Sequence, residues 1–544
     1  MQLIETILFL LLAVVVSGWV SRISRLPLPL VQIALGAGVV LFSGHSVDLH
    51  PDIFFLLFLP PLLFVDAWRI PKAALYKDRA VILELALGLV VFTVLGLGFF
   101  IHWMIPAMPL AVAFALAAIL SPTDPIAVSA IAGRSGMPKR LMHILEGESL
   151  LNDATGLTCM RIAVIAATTG AFSLMGAVGT FAWLAVAGIV VGVVVSLSIN
   201  LAKGYVTRRW GEDVGGQILI SLLIPFAAYL AAETVHASGI LAAVAAGIVM
   251  SISERRGSAM AATRIRRSVV WDTVQFTANG LIFVILGEQL PSILARAAEV
   301  LQTTSRTEIW WLAVYVFAIV GVLAVLRFVW VWATLRLTLF KDRDTGDRRP
   351  RLRWRLVAVM SLSGVRGAIT LAGILTLPFL VADGSLLPAR NLAIFLAAGV
   401  IIVSLVLASV ALPILLKGII LPPETHINAE EEHARRASAA AAIRALEQSQ
   451  RDQDLGVHAR ADEHAEVVAR LMEDYRQQIE LHSDQEPDQL ARAKKLDVIE
   501  KDLRILSLKA QRDELLKLAR ARLIGEETVR KLIRELDLEE LRYD

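Results

Sequence analysis

Long apolar segments separated by short polar loops dominate the first 420 residues of the chain. Runs of about 17 or more mostly apolar residues are long enough to cross a bilayer. Thirteen such runs occur, near residues 3–20, 26–43, 51–68, 79–104, 107–132, 141–169, 174–201, 214–233, 237–252, 268–290, 309–338, 355–381 and 390–417. The pattern predicts an all-α polytopic membrane protein.

The pattern changes after Pro422 and Pro423. Residues 428–544 lack long apolar runs and are rich in Ala, Glu, Arg, Lys and Leu, with charges of both signs at helical spacing. We therefore predict a transmembrane domain over residues 1–420 and a cytoplasmic, mostly helical tail over residues 421–544.

Basic residues occur in alternate loops of the transmembrane domain. Lys and Arg accumulate in cytoplasmic loops, and here they lie near residues 22–25, 69–79, 134–140, 203–209, 255–267 and 341–355. The intervening loops at 45–51, 102–106, 168–173 and 233–238 contain neither residue type, and only the loop at 291–308 breaks the rule. The alternation predicts an N-terminus outside and a C-terminus inside the plasma membrane of a bacterium.

Thirteen spans divide into six, one linking span and six more, so the second six would lie upside down relative to the first. Residues of about 1–170 and 214–420 would then form inverted repeats, as in many secondary transporters. Span 5 contains Ser121–Pro125 and span 12 contains Ser361–Gly367, and Pro or Gly interrupts each near its middle. We therefore predict two discontinuous helices that cross at a shared ion site.

Composition agrees with the membrane class. Hydrophobic residues make up 56% of the chain and the mean hydropathy is +0.64, against roughly 45–50% apolar residues in soluble domains. The net charge of +3 says little about partners. The single cysteine, Cys159, excludes a disulfide framework and a cysteine-based metal site.

Two carboxylates inside apolar spans are the candidate chemistry. Asp124 lies in the interruption of span 5 and Asp153 lies in span 6. A charge near the bilayer centre costs roughly 2.5 kcal/mol or more, which favours a functional role. Ser149 precedes Asp153 by four residues and shares its helix face, while Thr123 adjoins Asp124. These oxygen atoms predict a site for a hard cation such as Na⁺.

A single site is sufficient for exchange. A carboxylate in apolar surroundings binds a proton more readily, so a cation and a proton would compete at Asp153 and Asp124. If the site faces either side in turn, exchange needs no ATP. We expect the Asn152 amide to orient one of these aspartates by donating to it. A second acid at Asn152 would couple two titrations, so the neutral amide predicts one proton per cation, an electroneutral exchange.

Two arginines inside spans require partners, because an unpaired charge there is costly. We expect Glu148 to neutralise Arg327 and so hold the core helices together, with snorkelling of Arg327 to the interface as the alternative. Arg366 lies in the interruption of span 12. It is expected to offset the negative ends of interrupted helices.

Six short motifs follow one another along residues 1–420: Leu59–Phe64, Ser121–Pro125, Glu146–Asp153, Ser238–Ala242, Asn279–Phe283 and Gly364–Ala368. Together they resemble the signatures of the monovalent cation:proton antiporters of the bacterial NhaP and animal NHE branch. The resemblance implies a transporter and not an enzyme. The ion-site residues that it implies are Thr123, Asp124, Ser149 and Asp153, with Asn152 orienting, Glu148 paired to Arg327, and Arg366 in the crossing helix.

The same resemblance implies a homodimer in which a core domain moves like an elevator against a dimer domain. An acidic residue in the third span serves as a gate in relatives, and Asp66 is the candidate here. We expect Na⁺ or Li⁺, protons and the lipid bilayer as partners, with no nucleic acid and no cofactor, and a role in pH and sodium homeostasis.

Three alternatives compete with Na⁺/H⁺ exchange. A K⁺/H⁺ antiporter would use the same oxygen ligands. A cation channel would need a continuous pore, against which the inverted interruptions argue. An intramembrane aspartyl protease would need a Gly-x-Gly-Asp type signature, which the sequence lacks at Asp124 and Asp153.

Overall fold

The computed structural model describes residues 2–43, 51–132, 137–170, 173–254, 261–295, 310–339, 350–380, 385–417, 437–448, 467–476 except 474, and parts of 501–540. The chain divides into two compact units, Met1–Ile419 and Ile420–Asp544. Parts of the predicted basic loops at 255–267 and 341–355 and of the exceptional loop at 291–308, namely residues 255–260, 341–349 and 296–308, lie outside the described residues.

Helices account for most of the described part of the first unit, and they follow the apolar segments. They are α1 (Gln2–Ser24), α2 (Leu28–Ser43), α3 (Pro51–Arg69), α4 (Lys72–Lys77), α5 (Arg79–Leu83), α6 (Val90–Met104), α7 (Leu110–Leu120), α8 (Pro125–Ala132), α9 (Lys139–Thr169), α10 (Leu174–Trp210), α11 (Val214–Thr234), α12 (Gly239–Glu254), α13 (Ala261–Ala295), α14 (Trp310–Leu339), α15 (Pro350–Leu362), α16 (Ala368–Leu375) and α17 (Arg390–Leu416). A π-helical turn, Glu84–Leu89, joins α5 to α6.

Within the described residues, eight helices are long and apolar enough to cross a membrane, and the bent pair α7 and α8 makes a ninth. α2 and α12 include shorter apolar helices. The all-helical, polytopic membrane fold is therefore confirmed, whereas the total of thirteen spans and the inverted repeats stay predictions. In the second unit, residues 437–448, 467–473 and 503–515 are helical, as their charge spacing predicts.

Local sequence signals explain where the central helices begin and end. α9 ends at Gly170, whose φ of 68° lies in the left-handed region that glycine adopts most easily. The Ser173 side chain accepts a hydrogen bond from Gly176 N and caps α10. Asp213 caps α11 by accepting from Gly215 N and Gly216 N. These caps set the short connections between three consecutive long helices.

Two spans are interrupted, as the sequence predicts. α7 and α8 are bent by 47° at the segment that contains Pro122 and Pro125, because proline lacks a backbone donor and clashes with a continuing helix. Residues 363–367, which include Gly364 and Gly367 and no proline, separate α15 from α16. The two interruptions touch, since Asp124 N donates to Val365 O at 2.7 Å.

The helices of the first unit pack in two groups. One group contains α1, α2, α3 and α10–α13, in which α2 packs on α13 and α12 packs on α3, α10 and α11. The other contains α5–α9 and α14–α17, including both interrupted spans. The α3 and α13 face of the first group meets α9 and α16 of the second, and this boundary positions the candidate site.

Glycines allow α2 and α13 to approach closely. A Cβ atom on Gly36 of α2 would overlap the Val284 carbonyl oxygen, and one on Gly287 of α13 would overlap the Ile33 carbonyl oxygen. The contact is therefore reciprocal, with each glycine against the backbone of the other helix. Small residues permit this approach in membrane helices, where van der Waals packing holds helices together.

We predict that Gly36→Ala destabilises the protein by about 1–3 kcal/mol, because the added methyl group must push the Val284 backbone away. Gly38→Ala is the matched control, since it lies on the same helix with no atom within 4 Å of the added methyl. Melting temperatures of the two purified variants, measured by the loss of the monodisperse size-exclusion peak on heating, test this. Equal melting temperatures would contradict the close approach.

Candidate ion-binding site

A small cavity of about 50 Å³ lies at the boundary between the two helix groups. That volume exceeds the roughly 10–15 Å³ that one water needs. The cavity walls include the four predicted ion-site residues and the predicted gate, namely Thr123, Asp124, Ser149, Asp153 and Asp66. The structure thus brings together side chains from α3, α9 and the first interruption.

Asp124 is held by the start of α8. Its Oδ1 atom accepts hydrogen bonds from Ile126 N at 2.8 Å and from Ala127 N at 3.4 Å. These are backbone donors that an interrupted helix leaves free, and a carboxylate there also complements the positive end of the helix dipole. Gly367 packs directly on the Asp124 side chain, where a Cβ atom has no room. Asp124 is therefore fixed from both interrupted spans.

Ser149 and Asp153 lie one turn apart on α9 and both face the cavity, as their spacing predicts. Asp153 is buried, with 4% of its surface exposed. No hydrogen bond to its carboxylate is present among the described residues, in contrast to Asp124. Asp153 is thus a buried acid whose oxygen atoms are available to the cavity.

The Asn152 amide has a different partner from the one expected. Its Nδ2 atom donates to Thr123 Oγ1 at 3.2 Å and not to an aspartate. The reason is geometric, because Asn152 and Asp153 are consecutive on a helix and consecutive side chains point about 100° apart. Thr123 Oγ1 in turn donates to Glu148 Oε1 at 3.3 Å. Asn152 therefore orients the threonine beside Asp124.

Arg327 and Glu148 form a buried, bidentate ion pair. Arg327 Nη1 and Nη2 donate to Glu148 Oε1 and Oε2 at 2.5 and 2.7 Å, and Arg327 Nε donates to Met360 O at 2.9 Å. The two side chains are 3% and 1% exposed, so Arg327 does not snorkel to the interface. The pair joins α9, α14 and α15, and through Thr123 it reaches the first interruption.

Arg366 satisfies carbonyl groups at the ends of both interrupted spans. Its Nε atom donates to Leu120 O, the last residue of α7, at 2.9 Å, and its Nη1 atom donates to Gly364 O. Both carbonyls lie at C-terminal ends of helices, where a cation is favourable. The backbone N of Arg366 donates to Ser404 Oγ of α17 at 3.3 Å. This buried arginine thus replaces the missing intrahelical donors.

Asp66 belongs to a hydrogen-bonded chain that sequence reasoning missed. Gln275 Nε2 donates to Asp66 Oδ1 at 2.7 Å, and Gln275 Oε1 accepts from Arg69 Nη1 at 2.7 Å. Arg69 also pairs with Asp272 at 2.6 Å. A signal was present in the sequence, because Asp272, Gln275 and Asn279 form a polar stripe at helical spacing within an apolar span.

A wider cavity of about 610 Å³ adjoins the small one. The two share Leu63, Asp66, Pro125, Ile126, Ser149 and Asn279. The wider cavity continues along Arg69, His143, Glu146 and Asp272, at the end of α3 and near the start of α9. The site is therefore open toward this end of the helices.

Comparison with known proteins gives consistent results. The profile of the family described as "Sodium/hydrogen exchanger, transmembrane" matches residues 9–418. The chain is 39% identical to the uncharacterized Na⁺/H⁺ exchanger YjcE of Escherichia coli K12, covering 99% of this chain and 98% of that one. It is 40% identical to a sodium, potassium, lithium and rubidium/H⁺ antiporter of Bacillus pumilus, covering 95% and 74% of the two chains.

Among solved structures, the fold resembles that of the sodium proton antiporter MjNhaP1 from Methanocaldococcus jannaschii. The TM-score is 0.55 at 18% sequence identity, and the match covers 77% of this chain and 99% of that one. At this identity the likeness supports the fold alone.

We predict that Glu148→Gln and Arg327→Gln each destabilise the protein by about 3–5 kcal/mol, because each leaves one buried charge without its partner. The double variant is expected to be more stable than either single one. A charge swap is expected to rescue folding only in part, since Met360 O then loses its donor. Yields of monodisperse protein and melting temperatures check this order.

The half-exposed pair of Arg161 and Glu233, at 3.5 Å, supplies the control. Arg161→Gln is expected to change the melting temperature little, because solvent screens exposed pairs. If the double variant at Glu148 and Arg327 is no more stable than the less stable single variant, the two residues are not partners.

Proposed function

The chain belongs to the family of transmembrane sodium/hydrogen exchangers and is a cation/proton antiporter, and from this premise we propose that it exchanges Na⁺ or Li⁺ for H⁺ at Asp153 and Asp124. One observation carries the proposal: the carboxylates of Asp124 and Asp153, the side chains of Thr123 and Ser149 and a third carboxylate, Asp66, line one cavity of about 50 Å³. Oxygen atoms of this kind suit hard cations. The cation and the proton would compete for the same carboxylates.

Alternating access follows from the placement of the site. Thr123, Asp124, Ser149 and Asp153 all belong to the helix group that contains both interrupted spans, whereas Asp66 belongs to the other group. We propose that the group containing α5–α9 and α14–α17 moves against the group containing α1–α3 and α10–α13 like an elevator, within a homodimer. The wider cavity opens toward the end of α3 where the predicted cytoplasmic loops lie, so this conformation would accept ions from the cytoplasm.

We propose that one proton is exchanged for one monovalent cation. Three carboxylates line the small cavity, so the neutral Asn152 does not by itself settle the count. Asp124 accepts backbone N–H groups and Asp66 accepts an amide donor, whereas Asp153 accepts no hydrogen bond among the described residues. This difference favours Asp153 as the group that alternates between proton and cation.

K⁺ is the alternative to Na⁺ as the transported cation. The Bacillus pumilus relative is named as an antiporter of sodium, potassium, lithium and rubidium, which favours K⁺/H⁺ exchange as the second candidate. Both ions take oxygen ligands, and cavity size would discriminate between them. Family membership instead argues against the cation channel considered from the sequence.

Asp66 is proposed as a gate. It lines both cavities and so stands between the buried carboxylates and the wider opening. A carboxylate at this place would attract an entering cation and would lose contact with the site when the two helix groups move. In a bacterial plasma membrane, with its N-terminus outside and C-terminus inside, the antiporter would adjust internal pH and sodium.

We predict that Asp153→Asn lowers Na⁺-driven proton exchange in proteoliposomes at least 100-fold, because an amide cannot alternate between proton and cation. Asp213→Asn is the matched control, since an asparagine still caps α11 and exchange should be unchanged. The measurement is the pH change inside the vesicles after addition of Na⁺, Li⁺ or K⁺ in turn. Normal exchange by Asp153→Asn would refute the proposed site.

We predict that an imposed membrane potential leaves the exchange rate and its end point unchanged, because a one-for-one exchange moves no net charge. Proteoliposomes free of K⁺, in which a gradient of the permeant anion thiocyanate sets the potential, provide the test with Na⁺ as the transported ion. A potential that drives protons in the absence of a Na⁺ gradient would rule out the proposed stoichiometry. The cation series in the same vesicles decides between Na⁺ and K⁺.

A further inference from the structure

Four side chains on α3 and α13 form one hydrogen-bonded chain beside the cavity. Asp66 and Arg69 are three residues apart on α3, and Asp272 and Gln275 are three residues apart on α13. The two helices run in opposite directions in this region, so Asp66 faces Gln275 while Arg69 faces Asp272. Each pair lies on a single helix face.

The direction of the Gln275 amide is determined by its two partners. Arginine has only donors, so the atom that meets Arg69 Nη1 at 2.7 Å must be the amide oxygen. The amide NH₂ group then points at Asp66 Oδ1, also at 2.7 Å. A flipped amide would place its oxygen against a carboxylate and its NH₂ group against a guanidinium, which is unfavourable at both ends.

Arg69 is itself held in place. Its Nη2 atom donates to Asp272 Oδ1 at 2.6 Å, so the guanidinium has one fixed carboxylate as well as the amide oxygen. The far end of the chain is solvent-accessible, with the Arg69 and Asp272 side chains 33% and 60% exposed. The near end is Asp66, which lines the small cavity. The chain therefore connects the wider cavity to the ion site through fixed donors and acceptors.

We propose that Gln275 is a positioning residue for Asp66, and that Arg69 acts one step further away by fixing the direction of the Gln275 amide. Gln275 Nε2 engages one oxygen of Asp66 and leaves the other oxygen to an entering cation. Gln275 itself is absent from the walls of the small cavity and lines only the wider one. Its effect on the transported cation is therefore exerted through Asp66.

This inference rests on the proposed function of Asp66 and the ion site, and it predicts in addition how the loss of Gln275 affects cation binding. Without Gln275, the Asp66 carboxylate loses the donor that orients it, so cation binding should weaken while the moving helices and Asp153 stay intact. A merely structural link between α3 and α13 would instead lower stability without changing the cation dependence. The two cases differ in the KM for Na⁺.

The test is a double-mutant cycle in proteoliposomes of the full-length protein, with initial exchange rates measured against Na⁺ concentration at one pH. Gln275→Met keeps the side-chain length and removes both hydrogen bonds. It is expected to raise the KM for Na⁺ about tenfold with kcat within about twofold. Asp66→Ala removes the oxygen that Gln275 contacts and should raise the KM at least as much. The double variant should match Asp66→Ala within about twofold, because Gln275 acts only through Asp66.

Arg69→Gln provides a second variant in which Gln275 remains. It frees the amide to rotate and should raise the KM by a smaller factor. Gln217→Met is the matched control. Gln217 Nε2 donates to Thr207 Oγ1 over a distance of 2.8 Å, and neither residue lines the two cavities. The KM of this variant for Na⁺ should be unchanged. Melting temperatures of all variants separate folding defects from binding defects.

Multiplied effects of Gln275→Met and Asp66→Ala on the KM would overturn the inference, as would an unchanged KM in Gln275→Met. Loss of exchange in Asp153→Asn together with an unchanged KM for Na⁺ in Gln275→Met would contradict the role of Gln275 and leave the proposed function intact. Normal exchange in Asp153→Asn would instead contradict the proposed function.

Discussion

The fold of the site depends on satisfying the backbone groups that two interrupted helices leave free inside an apolar region. In an apolar region each unsatisfied backbone group is costly. Asp124 takes the donors at the start of α8, and Arg366 covers the carbonyls at Leu120 and Gly364. The direct bond from Asp124 N to Val365 O joins the two interruptions. Charged side chains are therefore required here before any ion binds.

A second set of interactions surrounds this arrangement and fixes its geometry. The Glu148 and Arg327 pair holds α9 against α14 and α15, and Thr123 and Asn152 extend it to the first interruption. Both charges are almost fully buried, so each depends on the other to remain in the interior. The candidate ligand oxygens thus sit on a framework that has its own polar core, separate from the carboxylates that face the cavity.

Sequence periodicity was sufficient to predict one part of the candidate site but not the rest. Ser149 and Asp153 share a helix face by their spacing, and proline content located the interruption beside Asp124, so their meeting at one cavity was predictable. The partner of Asn152 was not predictable. Its side chain points about 100° away from that of Asp153, and the packing of the helices, which the local sequence does not determine, decides which residue lies in that direction. The Asp66 chain requires two helices separated by some 200 residues to meet, which no local pattern encodes. The number of spans stays a prediction.

The separation of the candidate ligands between two helix groups has a consequence for the energetics of the proposed transport cycle. Thr123, Asp124, Ser149 and Asp153 would travel together, whereas Asp66 stays on the other group. Under the proposed mechanism the cation therefore has one more ligand in one orientation than in the other, and its intrinsic affinity differs between the two sides. Detailed balance forbids this difference from altering the equilibrium of the exchange, which the ion gradients alone determine. It sets instead the sodium concentration at which each half of the cycle saturates, so the same protein would work as a more sensitive sodium acceptor on one face of the membrane and a readier sodium donor on the other.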